Sequence, residues 1–266
     1  MVTVLQSSLI QVMVGAVRKG CKGVARDFGE VTELQVSKKG PGDFVTAADK
    51  RVEAALLEEL LRVRPGYGFL GEESGEIIGS DKTHRWIVDP IDGTTNFMHG
   101  IPHFACTVAL EREGEIVAGV TFNPVTNDLY WAEKGKGAYH NDRRLRVSSR
   151  KVLEDSLIAT GLPFIGKAGH AQALKELHQI MQRTVGIRRM GACSLDLAYV
   201  AAGQYDGYWE RGLNAWDMAA GLLLIQEAGG TFSAIDNDDS PLTTGTLVCG
   251  NLDLCPVLRE RLRSVQ

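Results

Sequence analysis

The sequence predicts a chain that mixes helices with two β-sheets, an α+β / α/β class in which one sheet is antiparallel and the other mixed. Three observations lead there. Apolar residues near the N-terminus recur at helical spacing. A central stretch alternates short β-branched and aromatic runs with tight turns. Beyond about residue 155, strand-like and helix-like segments alternate.

Leu5, Leu9, Val12, Met13, Ala16 and Val17 share one helical face, so residues 4 to 27 or so read as an amphipathic helix. Lys38-Lys39-Gly40-Pro41-Gly42 reads as a loop. Thr46 then opens a second helix through about Arg62, with Val52, Leu56, Leu57, Leu60 and Leu61 inward, and Pro65-Gly66 ends it. Residues 85–88, 105–112, 116–122 and 129–133 read as strands separated by Glu113-Gly114 and Asn123-Pro124. Connections this short favour antiparallel pairing, because a parallel crossover needs a dozen or more residues. Strands at 157–160, 186–189 and 207–210, with helices near 169–183, 194–202 and 216–228, predict a second sheet with helices on its faces.

The chain has 266 residues, 44% apolar and 23% charged, with a net charge of −4. At this length about three quarters of the unfolded surface is buried on folding. We expect one compact domain over 1–266, with helices and the antiparallel sheet in residues 1–150 and an α/β half in 151–266. The basic residues form no long run, which argues against a nucleic-acid footprint. Five cysteines, none at CxxC spacing, suit reduced thiols. No signal peptide or membrane-length apolar run is visible, so a soluble, cytoplasmic protein is expected.

Carboxylates stand in apolar company at three places: Gly71-Glu72-Glu73-Ser74, Asp89-Pro90-Ile91-Asp92-Gly93-Thr94-Thr95 and Ala215-Trp216-Asp217-Met218. A charge there is costly unless it is paired or bound to a cation. In the middle segment a buried strand runs into Asp89, Pro90 sets the chain direction, and Asp92 follows three residues later. Gly93 allows close backbone approach, and Thr94-Thr95-Asn96 can open a helix whose free N–H groups suit a phosphate. Each piece also has a plainer reading. Asp-Gly is a hairpin signal, Asp217 can cap a helix, Glu72-Glu73 suits a solvated face, and Thr46-Ala47-Ala48-Asp49 resembles a capping box. Their conjunction points to a phosphate held by divalent cations.

With these residues in view, the chain resembles the inositol monophosphatase family, its bacterial branch in particular. The resemblance rests on Trp86-Ile87-Val88-Asp89-Pro90-Ile91-Asp92-Gly93-Thr94-Thr95-Asn96-Phe97 and Trp216-Asp217-Met218-Ala219-Ala220-Gly221. Gly71-Glu72-Glu73-Ser74 and Asp43-Phe44-Val45-Thr46-Ala47-Ala48-Asp49 match two further blocks in the same order. It implies a layered α-β-α-β-α sandwich of the sugar-phosphatase type, a homodimer, sensitivity to Li+, and a small-molecule phosphate monoester as substrate. It implies one metal on Glu72, Asp89 and the Ile91 carbonyl, a second on Asp89, Asp92 and Asp217, and a third, weaker ion touching Glu72. Hard oxygen ligands suit Mg2+, with Mn2+ as the alternative, and not zinc. Glu72 and Thr94 would orient the attacking water, with Asp49 holding the Thr94 hydroxyl and the N–H groups of Gly93 and Thr94 holding the phosphate. Either Lys38 or Lys39 corresponds to a family lysine near the third ion, and the spacing leaves both open.

The leaving-group pocket selects the substrate. By resemblance Glu210 accepts ring hydroxyls, Gly191-Ala192-Cys193 lines the ring, Arg188 lies at its edge, and Asp92 and Asp217 add contacts. For Cys193 a small buried residue is the plainer reading. myo-Inositol 1-phosphate is the expected substrate. Fructose 1,6-bisphosphate, adenosine 3′,5′-bisphosphate and histidinol phosphate are the alternatives on the same fold. A regulatory or binding protein that keeps the fold is the alternative of another class, and the intact set of carboxylates with Thr94 speaks against it.

Overall fold

The computed structural model describes residues 5–29, 36–40 and 43–265. Helix α1 (Ser8–Gly20) starts at Ser7, whose hydroxyl accepts the Ile10 N–H at 3.2 Å, and it buries Ile10, Met13, Ala16 and Val17. The single helix expected through residue 27 is two helices. Gly23, at φ +97°, lies outside the helical region and separates α1 from α2 (Val24–Gly29). Strands β1 (Val36–Gly40) and β2 (Asp43–Thr46) pair antiparallel, so the expected loop at Lys38-Lys39-Gly40 is a strand. Ladder hydrogen bonds to a neighbour outweigh its weak propensity. Pro41 and Gly42 lie outside the described residues. Helix α3 (Ala47–Val63) begins at Thr46 through a capping box with Asp49 and stops before Pro65, as expected.

The first sheet contains β3 (Gly68–Gly71), β4 (Gly75–Ile77), β5 (His84–Asp92), β6 (Ala105–Arg112), β7 (Glu115–Asn123), β8 (Asp128–Glu133), β9 (Gly137–His140) and β10 (Arg143–Arg144). Their order is β10-β9-β8-β7-β6-β5-β3-β4, and short α4 (Thr94–Met98) joins β5 to β6. Pairing from β5 through β10 is antiparallel, as the tight turns predict. One pair departs from this: β3 runs parallel to β5, with Gly71 opposite Val88. That exception brings the C-terminal ends of both strands, and the acids after them, to one edge.

The second sheet collects β11 (Leu157–Thr160), β12 (Gly186–Arg188), β13 (Gly207–Arg211), β14 (Thr231–Ser233) and β15 (Thr246–Gly250) in the order β12-β11-β13-β15-β14. It is mixed: β11 pairs parallel with β12 and β13, while β15 pairs antiparallel with β13 and β14. Its helices are α5 (His170–Met181), α6 (Cys193–Ala201), α7 (Ala215–Glu227), α8 (Pro241–Thr244) and α9 (Leu254–Arg263).

Apolar cores stack these elements into layers. Ile10, Val52, Leu56 and Leu60 of α1 and α3 pack on Trp86, Val88 and Val108 of the first sheet. Leu195 and Leu197 of α6 and Met218 and Leu222 of α7 fill the space between the sheets, against Tyr130, Tyr208 and Leu247. Ile180 of α5 and Leu258 and Leu262 of α9 cover the outer face of the second sheet with Trp209 and Val248. The result is an α-β-α-β-α sandwich. Helix α7 buries every residue from Met218 through Ile225, which explains why its sequence is almost continuously apolar.

Candidate active site

Strand β5 ends in an irregularity: pairing with β6 shifts between Asp89 and Asp92, and the extra residues turn both carboxylates to one side. Asp89 is fully buried, and its Oδ1 accepts the Ile91 N–H at 3.0 Å. Asp92 Oδ2 accepts the Ser194 N–H at 2.7 Å and its hydroxyl at 2.5 Å, which ties β5 to the first turn of α6. Asp217 sits in the first turn of α7, where its Oδ2 accepts the Asn214 N–H at 2.6 Å in a capping box. Carboxylate oxygens of Asp89, Asp92 and Asp217 all lie within 4.8 Å of one another. Glu72 follows β3, with its N–H on the Val88 carbonyl at 3.2 Å, and its side chain hydrogen-bonds Asp89.

Such crowding is electrostatically unfavourable without a counter-charge. Burial, and then repulsion from Glu72, Asp92 and Asp217, pushes the Asp89 carboxyl well above the ordinary carboxylate range. Burial likewise raises Asp92 to about 6 despite the bonds from Ser194 that lower it, with Asp196 and Glu72 raising it further. Asp217 is pushed up by burial and by Asp92, against the Asn214 N–H. The chief influences that lower these groups are hydrogen bonds, while acids raise them. An all-oxygen, converging set short of positive charge is a fit for hard divalent cations.

Thr94 opens α4 behind Gly93, whose φ of +92° only glycine adopts readily. The Thr94 hydroxyl faces Ile91 O at 3.0 Å and Asp49 Oδ1 at 3.3 Å. Asp49 is held in turn by the Thr46 N–H at 2.8 Å and the Thr46 hydroxyl, and burial raises its carboxyl. Asn96 donates to the carbonyls of His103 (2.7 Å) and Met190 (2.8 Å), drawing the segment that carries Gly191, Ala192 and Cys193 onto α4. A Cβ on Gly93 would stand 3.0 Å from that of Ala192.

Glu210, near the end of β13, faces the same space. Burial, Asp92 and Asp196 raise its carboxyl to about 7, while the Tyr208 hydroxyl bond and Arg189 lower it. Gly161 leaves room for it, since a Cβ there would overlap the Glu210 carboxyl. Cys193 is buried, and burial followed by Glu210 pushes its thiol up, away from nucleophilic use. Arg188 is exposed and donates to its own neighbour, Ile187 O. Arg189 is the arginine whose charge acts on Glu210 and Asp196. Lys38 and Lys39 lie in β1, and their side chains fall outside the described residues.

Sequence reasoning missed the supports of this site: Ser194 beneath Asp92, and Tyr208 and Gly161 around Glu210. Only Asn214, three residues before Asp217 and able to cap, carried a readable local signal.

Two sheets layered with helices, and an acid cluster where β3, β5 and α7 meet, buried at Asp89 and half-buried at Asp92 and Asp217, define a fold of the sugar-phosphatase type with a cation-fitted centre. The chain belongs to the inositol monophosphatase family, which is metal-dependent and hydrolyses phosphoric monoesters: residues 5–265 match the sequence model of that family. It is 61% identical over 255 residues to an inositol-1-monophosphatase of Caulobacter vibrioides, covering 95% of this chain and all of the relative. It is 41% identical to the Nus factor SuhB of Pseudomonas aeruginosa, covering 91% of each. The crystal structure of extragenic suppressor protein suhB from Bartonella henselae superposes with a TM-score of 0.93 at 50% identity, over 97% of this chain and 99% of that one. Among the described residues, no helix is long and apolar enough to cross a membrane.

Proposed function

We propose that this chain is a single catalytic domain that hydrolyses myo-inositol 1-phosphate with Mg2+. The observation that carries the reading is the convergence of the Asp89, Asp92 and Asp217 oxygens within 4.8 Å. Asp89, Asp92, Asp217, Glu72 and the Ile91 carbonyl would hold the cations. Bound Mg2+ neutralises phosphoryl charge and acidifies water, which a monoester requires because its uncatalysed hydrolysis is among the slowest known.

The chain's own groups do the rest. Glu72 and Thr94 orient the attacking water, and the Thr94 hydroxyl donates its proton to one of the two acceptors within reach, Ile91 O or Asp49 Oδ1. The N–H groups of Gly93 and Thr94 hold the phosphate at the start of α4. Glu210 and the backbone of Gly191, Ala192 and Cys193 face the leaving group, and the ionised Glu210 accepts its hydroxyls. Arg189 replaces Arg188 at the edge of that pocket in this reading. A cytoplasmic homodimer inhibited by Li+ completes the proposal.

Support for the substrate comes from the acid at Glu210 and from the name of the relative in C. vibrioides. Phosphate release with Mg2+ from inositol 1-phosphate, fructose 1,6-bisphosphate, adenosine 3′,5′-bisphosphate and histidinol phosphate tests it. The highest kcat/KM is expected for inositol 1-phosphate, and a higher value for any of the others overturns the choice. The name Nus factor on a relative keeps a partner-binding role in view. Asp217→Ala separates the two readings: loss of phosphatase activity together with full rescue of a deletion phenotype favours the binding role.

A further inference from the structure

Helix α3 carries a second buried acid, Glu53, that none of the roles above uses. It follows Asp49 by four residues, so the two lie on one helical face among Ala48, Val52 and Leu56. Its Oε2 accepts the Glu73 N–H at 2.9 Å and its Oε1 the Ser74 N–H at 2.8 Å. The side chain thus seats on the backbone of the turn that carries Glu72. Gly71 makes the room, since a Cβ there would stand 2.5 Å from Glu53 Oε2. The sheet holds the same turn from the other side through the Glu72 N–H on Val88 O at 3.2 Å.

We propose that Glu53 is a positioning residue for catalysis. It fixes the turn at residues 71–74 so that Glu72 meets Asp89, much as Asp49 fixes Thr94. One face of α3, through acids one helical turn apart, then sets both groups that orient water. The chemistry demands a carboxylate. Both donors are backbone N–H groups, so a side chain with two acceptor oxygens satisfies both. A glutamine of the same size turns its NH2 toward one of the two N–H groups and pushes the turn away.

This inference rests on the hydrolysis reading above. Its test compares the full-length wild type with Glu53→Gln, Gly71→Ala, which drives a methyl group into the Glu53 carboxyl, and the exposed control Glu58→Gln on the same helix. Steady-state kinetics on inositol 1-phosphate at saturating Mg2+ are paired with calorimetric Mg2+ binding in the absence of substrate. Glu53→Gln is expected to lower kcat about 10- to 100-fold, leave KM within about threefold, and weaken Mg2+ binding at least about threefold, with the control unchanged. A folded Glu53→Gln with kcat and Mg2+ affinity within twofold of wild type overturns the inference. If Glu53→Gln does not fold, Gly71→Ala decides by the same two readouts. A wild type that binds Mg2+ yet releases no phosphate overturns the hydrolysis reading instead, and the calorimetric comparison still judges Glu53.

Discussion

At the scale of single residues, Asp89, Asp92, Asp217 and Glu210 are pushed in one direction, by burial first. Asp89 is raised by burial and by its acidic neighbours, and Glu210 to about 7 by burial first. The Glu210 shift has a kinetic consequence. Only the ionised form accepts hydroxyls at both oxygens, so KM for inositol 1-phosphate should rise as pH falls below about 7. In Glu210→Gln that pH dependence of KM should vanish, with KM raised about tenfold at pH 8. A KM profile unchanged by the substitution would remove Glu210 from the pocket. Gly161→Ala tests the same place by shape: its methyl group overlaps the Glu210 carboxyl. KM should rise several-fold while calorimetric Mg2+ binding stays at the wild-type value.

Elements set how much of this was legible in advance. The capped start of α3 at Thr46, the strands from β5 to β8 and the helices α5, α6 and α7 follow from periodicity and turn residues, because those signals are local. The acids at 72, 89, 92 and 217 were legible as a set because each interrupts an apolar run. What was not legible depends on pairing between distant segments. The parallel β3–β5 pair that aligns Glu72 with Asp89 leaves no local trace. Strands β14 and β15 are defined mainly by their partners. Ser194 reached Asp92 only through a contact spanning 102 residues. The break at Gly23 was readable in principle, but continuous amphipathic spacing masked it. The α3 cap offers an element-level test. Thr46→Ala removes the hydroxyl that accepts the Ala48 N–H at 3.1 Å and also supports Asp49. Stability should fall by about 1–2 kcal/mol in urea unfolding, and kcat should fall as well because Asp49 holds Thr94. A stability loss with unchanged kcat would confine Thr46 to capping.

For the whole molecule, the acids of the site couple folding to pH and to cations. Their folded-state values lie above the unfolded ones: Asp92 at about 6 against 3.8, Glu210 at about 7 against 4.5, and Asp89 and Asp217 raised as well. A carboxyl raised on folding contributes its full stability below the unfolded value and loses it as pH climbs through the folded one. Protein stripped with a chelator should therefore lose Tm between about pH 4 and about 7 through Asp92 and Glu210. Saturating Mg2+ should restore it, raising Tm by about 5–10 °C at pH 8 and by little at pH 5. A Mg2+ effect equal at both pH values would place cation binding away from these acids.

The central claim is that Asp89, shared wall of the acid cluster, makes hydrolysis cation-dependent. Mg2+-dependent phosphate release from inositol 1-phosphate by Asp89→Asn, set beside wild type at equal fold content by circular dichroism, tests it most directly. The account predicts a loss of turnover of at least about 1,000-fold. A folded Asp89→Asn protein that keeps a tenth of wild-type turnover would contradict it.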